Sequence, residues 1–235
     1  MAIYGQSRRM AAFLRARITP EGYLGLHLTI GALVLIAATS LFGVIAEDVV
    51  TGDSLTSFDT TVSAWLRAHA SAKLTAAMFV VTDIHSTLGV ITIAAGVGLF
   101  LLRQRRKYAL LVLTLTVPGG MLLNVVLKNV FQRARPAFDY PLLTFSGYSF
   151  PSGHTMAATM LYGTLAAFAL ARIRAWHWRV LVVVIATFLI MLVGFSRIYL
   201  GAHYLSDVLG AMVEGLAWLA FCLTAVNTVR RRKRL

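Results

Sequence analysis

Charge is what this sequence has least of. Of its 235 residues only 13% are Asp, Glu, Lys or Arg, and just nine are acidic. A soluble domain carries about 25% charged residues, so the deficit excludes an ordinary water-soluble fold and points to lipid as the solvent. There is a single cysteine, Cys222, in an apolar stretch, which excludes an intrachain disulfide and reads as a packing residue. No Ser/Gly linker, low-complexity tract or internal repeat interrupts the chain. One domain over 1–235 is therefore expected, with no soluble module attached.

What the sequence has instead is apolar length. Hydrophobic residues make up 58%, and the mean hydropathy is +0.76. Apolar segments fall at about 23–46, 86–102, 108–130, 153–171, 180–196 and 207–229. A spanning helix needs roughly 20 residues. The expected fold is thus an all-α membrane protein with six transmembrane helices. The region 47–85 is different, with Glu47, Asp48, Asp53 and Asp59 followed by a nine-residue apolar run from Leu74 to Thr82. Residues 55–84 read as amphipathic interfacial helices between the first and second spans, with a longer continuous second span as the competing reading. The first segment is too long for a signal-peptide core and its Arg-rich lead-in too extended, so an uncleaved first span is expected.

The net charge of +13 suggests a nucleic-acid partner only until its location is considered, because the cations sit in short blocks between apolar runs. With the N-terminus in the cytoplasm and six crossings, 16 of the 22 Lys and Arg residues fall inside. These are Arg8, Arg9, Arg15, Arg17, Arg103, Arg105, Arg106, Lys107, Arg172, Arg174, Arg179 and Arg230 through Arg234. Only Arg67, Lys73, Lys128, Arg133, Arg135 and Arg197 fall outside. Positive residues favour the cytoplasmic side, which fixes the orientation with both termini inside. Bilayer lipid, and no nucleic acid, is the expected partner.

The outside cations need a reason. Lys128 ends the third span, where a long stem can snorkel to the interface. Arg135 precedes Pro136, whose ring disfavours helix at Arg135 and marks a turn. An ammonium and a guanidinium converging there suit phosphate oxygens. The fourth span opens Phe150-Pro-Ser-Gly-His154. Ser152 is an N-cap candidate, Gly153 admits close approach to the backbone, and first-turn N–H groups bind anions. His154 in that turn can reach a bound anion and donate a proton. Ser196-Arg197 then leads to His203 and Asp207, spaced i and i+4 on one helix face. An aspartate on one imidazole nitrogen fixes the tautomer and leaves the other free to attack.

Phosphoryl transfer needs positioning and charge neutralisation above all. Lys128, Arg135 and Arg197 can neutralise phosphate oxygens while Ser152 and the Gly153 amide donate to them. His203 is the candidate nucleophile, His154 the acid and base. No metal and no cofactor is required, because protein cations supply the charge.

Together the three blocks resemble the tripartite signature of the type-2 phosphatidic acid phosphatase superfamily. They run from Lys128 to Arg135-Pro136, from Pro151 to His154, and from Ser196-Arg197 through His203 to Asp207. They occur in the family's order, cover 128–207 and show no departure at a signature position. The resemblance implies Lys128, Arg135, Ser152, Gly153 and Arg197 as phosphate ligands, His154 as acid/base, His203 as nucleophile and Asp207 as its orienter. It further implies a bacterial inner (cytoplasmic) membrane protein with its active site on the periplasmic side. The implied substrates are lipid phosphates: undecaprenyl pyrophosphate, phosphatidylglycerol phosphate or phosphatidic acid. A lipid phosphotransferase on the same scaffold, or a non-catalytic phosphate-lipid binding or transport protein, are the alternatives. Oligomeric state is not written in the sequence.

Other polar residues have more ordinary readings. Glu214, seven residues after Asp207, is either a proton or substrate group or a buried hydrogen-bond partner. Arg133 is assigned to anionic headgroups. Asp83 and His85 lack a third partner for a metal site. Trp176, His177 and Trp178 stand beside cytoplasmic arginines, as an interfacial belt does.

Overall fold

The structure is a computed structural model, and it describes residues 25–138 and 147–233. The Arg-rich lead-in (Arg8, Arg9, Arg15, Arg17) and Arg234 therefore lie outside the described residues. Eight helices follow in order: α1 (Leu26–Thr51), α2 (Ser54–Ala68), α3 (Ala72–Ile84), α4 (Thr87–Arg103), α5 (Lys107–Phe131), α6 (Gly153–Leu170), α7 (Trp176–Tyr199) and α8 (Leu205–Arg232). No strand occurs among the described residues.

The punctuation of these helices follows from local chemistry. Gly52 adopts a left-handed conformation and stops α1, its N–H returning to the Asp48 carbonyl. Ser71 and Ser86 cap α3 and α4, accepting from the backbone N–H groups of Leu74 and Gly89. Gln132, also left-handed, ends α5 one turn past Lys128. The basic residues Arg230–Arg232 occupy the last turn of α8, where cations complement the negative helix end.

Among the described residues, four helices are long and apolar enough to cross a membrane: α1, α5, α7 and α8. The α3–α4 pair passes the same test jointly, but is bent by 50° at its break. α2 and α3 are separate helices between α1 and α4. α5, α7 and α8 extend past the apolar runs that marked them in the sequence.

α6 is the central helix. Met156, Ala158, Met160 and Leu161 are fully buried, and Ala157 nearly so, which no amphipathic surface helix allows. Around it pack Val90 and Ala94 of α4, Leu113 and Val117 of α5, and Ala211 and Leu219 of α8. The peripheral helices turn apolar side chains outward instead: Leu33, Ile36, Leu88, Leu122 and Phe188 are all more than 60% exposed. Exposure of this kind is the signature of a lipid-facing surface. Pairs of polar groups link neighbouring spans, as apolar surroundings favour. Thr164 donates to Thr116 at 2.8 Å, and the Trp218 indole donates to the Leu115 carbonyl at 2.9 Å.

A second cluster lies beneath the site. Phe150 is fully buried, stacked on Phe42 with centroids 5.7 Å apart and edge-on to Phe131 at 5.1 Å. Its ring packs on the backbone of α8 at Gly210, where an added Cβ would stand 2.5 Å from Phe150 Cε2. Overpacking a close helix contact costs about 1–3 kcal/mol. Gly210→Val is expected to lower the thermal midpoint of the detergent-solubilised protein clearly. Gly43→Ala, where nothing lies within 4 Å, should leave it unchanged or slightly raised. Equal midpoints for the two variants would refute this packing.

Candidate active site

The three sequence blocks meet at one end of the bundle, where α5 ends, α6 and α8 begin, and α7 hands over to α8. That last turn is tight. Gly201 is left-handed at φ 71, and the N–H groups of Ala202 and His203 fold back onto the Arg197 carbonyl at 3.0 and 3.2 Å. Phe138 fills the space on which a Gly201 side chain would intrude. Arg197 and His203 are thereby fixed as neighbours. A second tie runs between helix starts, since the Ser152 N–H donates to the Asp207 carbonyl at 3.0 Å.

His203 is buried and its two nitrogens face different partners. Nδ1 lies 3.3 Å from Asp207 Oδ2 and 3.4 Å from Ser149 Oγ. Nε2 lies 3.4 Å from an Arg135 terminal nitrogen. Arginine can only donate, so Nε2 must present its lone pair and Nδ1 must carry the proton. Burial lowers the imidazole to about 4, with Asp207 pulling it upward and the Lys128 and Arg197 charges pushing it further down. The ring is therefore neutral at pH 7, its Nε2 lone pair turned towards the cations.

Asp207 is fully buried and multiply held. Its Oδ2 accepts from the Tyr204 N–H at 2.8 Å and from the Ser149 hydroxyl. Its Oδ1 accepts from Arg133 at 2.6 Å. The same guanidinium reaches Asp59 of α2 at 2.8 Å and lies over the Tyr204 ring at 4.4 Å. Asp59 also accepts from the Ser206 N–H at 2.8 Å and from the Ser206 hydroxyl. The assignment of Arg133 to headgroups is thus corrected: it is turned inward, 10% exposed, bridging two fully buried carboxylates.

The other expected residues are placed as follows. Lys128, in the last turn of α5, donates to the carbonyls of Tyr148 and Ser149 at 2.7 and 3.2 Å. Arg135 donates to the Gly147 and Ala202 carbonyls at 3.0 and 2.8 Å. Arg197 is buried in the last turn of α7 and donates to Thr82 Oγ1 at 3.1 Å. Ser152 stands at the N-cap of α6, but its side chain does not cap the backbone and instead accepts from Thr155 Oγ1 at 3.0 Å. Gly153 leaves room for Asn124, whose Oδ1 would be 3.2 Å from an added Cβ, with Lys128 Cε at 3.8 Å. His154, in the first turn of α6, lies within electrostatic range of Arg197, His203, His85 and Arg135.

Two further residues resolve. His85 bonds the Val81 carbonyl at 2.7 Å and the Tyr162 hydroxyl at 2.6 Å, so both ring nitrogens are engaged within the bundle. Among the described residues no group of three or more His, Cys, Asp or Glu side chains could hold a metal ion. Glu214 accepts from Asn124 Nδ2 at 3.4 Å, and the same amide donates to the Pro151 carbonyl at 3.4 Å. Glu214 thereby supports the turn that opens α6. Sequence reasoning missed Ser149 and Asp59 as partners of this site. Asp59 is the one acidic residue of an amphipathic helix, and nothing in the sequence named its partner.

Phosphatidylglycerophosphatase B of Bacillus subtilis is 40% identical over 123 residues, covering 52% of this chain and 59% of that protein. An undecaprenyl-diphosphatase of Bacillus subtilis is 29% identical over 153 residues, covering 63% of this chain and 73% of that protein. The match to the first of these therefore spans less than two thirds of the relative's length. The crystal structure of a transmembrane PAP2-type phosphatidylglycerolphosphate phosphatase from Bacillus subtilis superposes with a TM-score of 0.73 at 29% identity, covering 80% of this chain and 94% of that one. The sequence profile of the PAP2 superfamily matches residues 107–231, a range that contains all three blocks of the site. The chain belongs to the PAP2 superfamily.

Proposed function

We propose that this chain is an integral membrane phosphatase that removes a terminal phosphate from a lipid phosphate or pyrophosphate. The observation that carries the reading is the His203 ring, whose Nδ1 faces Asp207 while Nε2 faces Arg135. In the proposed reaction, His203 Nε2 forms a bond to phosphorus as the bond to the lipid oxygen breaks. His154 gives that oxygen its proton. Phosphohistidine then loses its phosphoryl group to a water, whose proton returns to His154, and inorganic phosphate leaves. Lys128, Arg135 and Arg197 neutralise the phosphoryl oxygens, with Ser152 and the Gly153 N–H as further donors. Charge stabilisation at preorganised donors is the largest contribution such a site makes, and acid–base help adds about 100- to 10,000-fold.

The substrate reading follows from the surroundings. A phosphate site at the end of apolar helices meets headgroups, and two relatives are named for phosphatidylglycerophosphate and undecaprenyl diphosphate. We place the polyprenyl pyrophosphate among the best substrates. The layout proposed is six crossings (α1, α4, α5, α6, α7 and α8) with α2 and α3 along the extracytoplasmic interface. The 50° bend between α3 and α4 supports this. So do the contacts of α3 with the last turns of α7, Thr75 with the Tyr199 hydroxyl and Thr82 with Ser196. The charge asymmetry supports a site on the extracytoplasmic side with both termini in the cytoplasm.

Phosphate release from purified protein should survive EDTA and be inhibited by vanadate, with activity on several lipid phosphates. Release that requires added magnesium would count against the site. His203→Ala is expected to abolish turnover. His154→Ala should still form phosphoenzyme from a substrate with a good leaving group, and wild-type release of natural lipid by that variant would remove His154 from the mechanism. Transfer of phosphate to a lipid acceptor without release would favour the phosphotransferase reading.

A pH profile gives an independent check. A group whose pKa is pulled down stays deprotonated at every pH above the lowered value. The acid limb of kcat/KM set by His203 should therefore lie well below the ordinary histidine value of 6.5. Asp207→Asn should cost roughly 10³- to 10⁴-fold in kcat through loss of the tautomer. An acid limb at or above 6.5, or an Asp207→Asn variant with wild-type kcat, would contradict the geometry.

A further inference from the structure

The guanidinium of Arg133 is divided between two carboxylates. Its Nη2 donates to Asp59 Oδ2 at 2.8 Å and its Nη1 to Asp207 Oδ1 at 2.6 Å. Among the described residues, no other Lys or Arg is ion-paired with either carboxylate. Two negative groups around one positive group leave one net negative charge, in a place where both carboxylates are fully buried. That charge stands beside His203, because the other oxygen of Asp207 faces His203 Nδ1 at 3.3 Å.

Asp59 is fixed towards Arg133 by the first turn of α8. Its Oδ1 accepts from the Ser206 N–H at 2.8 Å, and its Oδ2 accepts from the Ser206 hydroxyl. Arg133 donates to that same hydroxyl at 2.6 Å. Stability does not account for the second carboxylate. Arg133 with Asp207 alone would already be a balanced pair, and each further buried charge carries a desolvation penalty.

The proposed reaction changes the charge of the ring. His203 starts neutral, with its hydrogen on Nδ1. When Nε2 bonds to phosphorus and the lipid oxygen leaves with the proton of His154, Nδ1 keeps its hydrogen, so the phosphorylated ring is cationic. Transfer of the phosphoryl group to water returns the ring to neutral. Charges at a buried site act strongly on one another. Besides Asp207, the charged side chains acting on His203 are Arg135, Lys128 and Arg197, all positive, and His154 lies in electrostatic range. An Asp207 cancelled by Arg133 would leave the cationic ring with no net negative neighbour.

We propose that Asp59 is a positioning residue of the reaction, taking up the charge of Arg133 so that Asp207 keeps its own for the cationic ring of phosphorylated His203. Asp59 hydrogen-bonds only Arg133 and Ser206, and it acts through Arg133 and Asp207. The inference rests on the phosphatase reading.

The test is a charge cycle in the full-length protein. It uses whichever of undecaprenyl pyrophosphate, phosphatidylglycerophosphate and phosphatidic acid wild type hydrolyses fastest. Asp59→Asn keeps the size of the side chain and leaves Arg133 to Asp207 alone. Its single-turnover rate of phosphohistidine formation should fall about tenfold, the equivalent of one pK unit of lost charge stabilisation. The double variant Asp59→Asn, Arg133→Gln restores the net charge and should recover most of that rate. A merely structural role predicts a double variant at least as slow as Asp59→Asn. If the double variant does not fold, the acid limb of kcat/KM decides. In Asp59→Asn the ring faces less negative charge and protonates less readily, so the limb should move to lower pH. A wild-type phosphorylation rate in Asp59→Asn, a folded double variant no faster than Asp59→Asn, or an unmoved acid limb overturns the proposal. Absence of phosphohistidine in wild type overturns the phosphatase reading itself, and this inference with it.

Discussion

The carboxylate of Asp207 joins segments that are far apart in the chain, and each of its contacts fixes something the site needs. Through Oδ2 it accepts from the Tyr204 N–H, which sets the start of α8, and it faces the His203 Nδ1 that its charge orients. Through Oδ1 it holds Arg133, and through its main-chain carbonyl it receives the Ser152 N–H at the start of α6. The helix that carries one histidine and the helix that follows the other are thus registered against the same residue.

Buried charge explains why this junction is rigid. Removing one partner of a buried ion pair costs about 3–5 kcal/mol, whereas the intact pair adds little net stability over an apolar replacement. Asp59 and Asp207 are both fully buried, and Arg133 serves both. Neither carboxylate can turn away without leaving a charge uncompensated, so the arrangement contributes specificity of position more than stability. The amphipathic helix α2, remote in sequence from the signature blocks, enters the site's support through Asp59, and its Leu55 packs on the Phe150 cluster beneath.

Much of this was legible in advance, for physical reasons. Apolar runs long enough to span announce themselves because lipid-exposed helices need no polar face, and the three blocks carried their chemistry at spacings that one helix turn or one tight loop can close. Contacts across the bundle were not legible. Arg133 and Arg135 are two residues apart and face opposite ways, the first to buried carboxylates and the second to His203 Nε2. Local sequence offers no sign of that division, because it depends on where α2 and α8 lie. Ser149 and Asp59 were missed for the same reason. Ser152 is the N-cap of α6 by position, but its hydroxyl oxygen accepts from Thr155 Oγ1 and not from the backbone. Glu214 belonged to the support of the α6 turn through Asn124, a partner 90 residues away.

In the proposed mechanism Nδ1 of His203 is committed to Asp207, which leaves Nε2 to receive the phosphoryl group. Rapid acid-free quenching during turnover, followed by isomer-resolved mass spectrometry, identifies both the phosphorylated residue and the nitrogen that carries the phosphate. Phosphate on Nε2 of His203 is the predicted result. Phosphate on Nδ1, on His154, or on no histidine at all would contradict it.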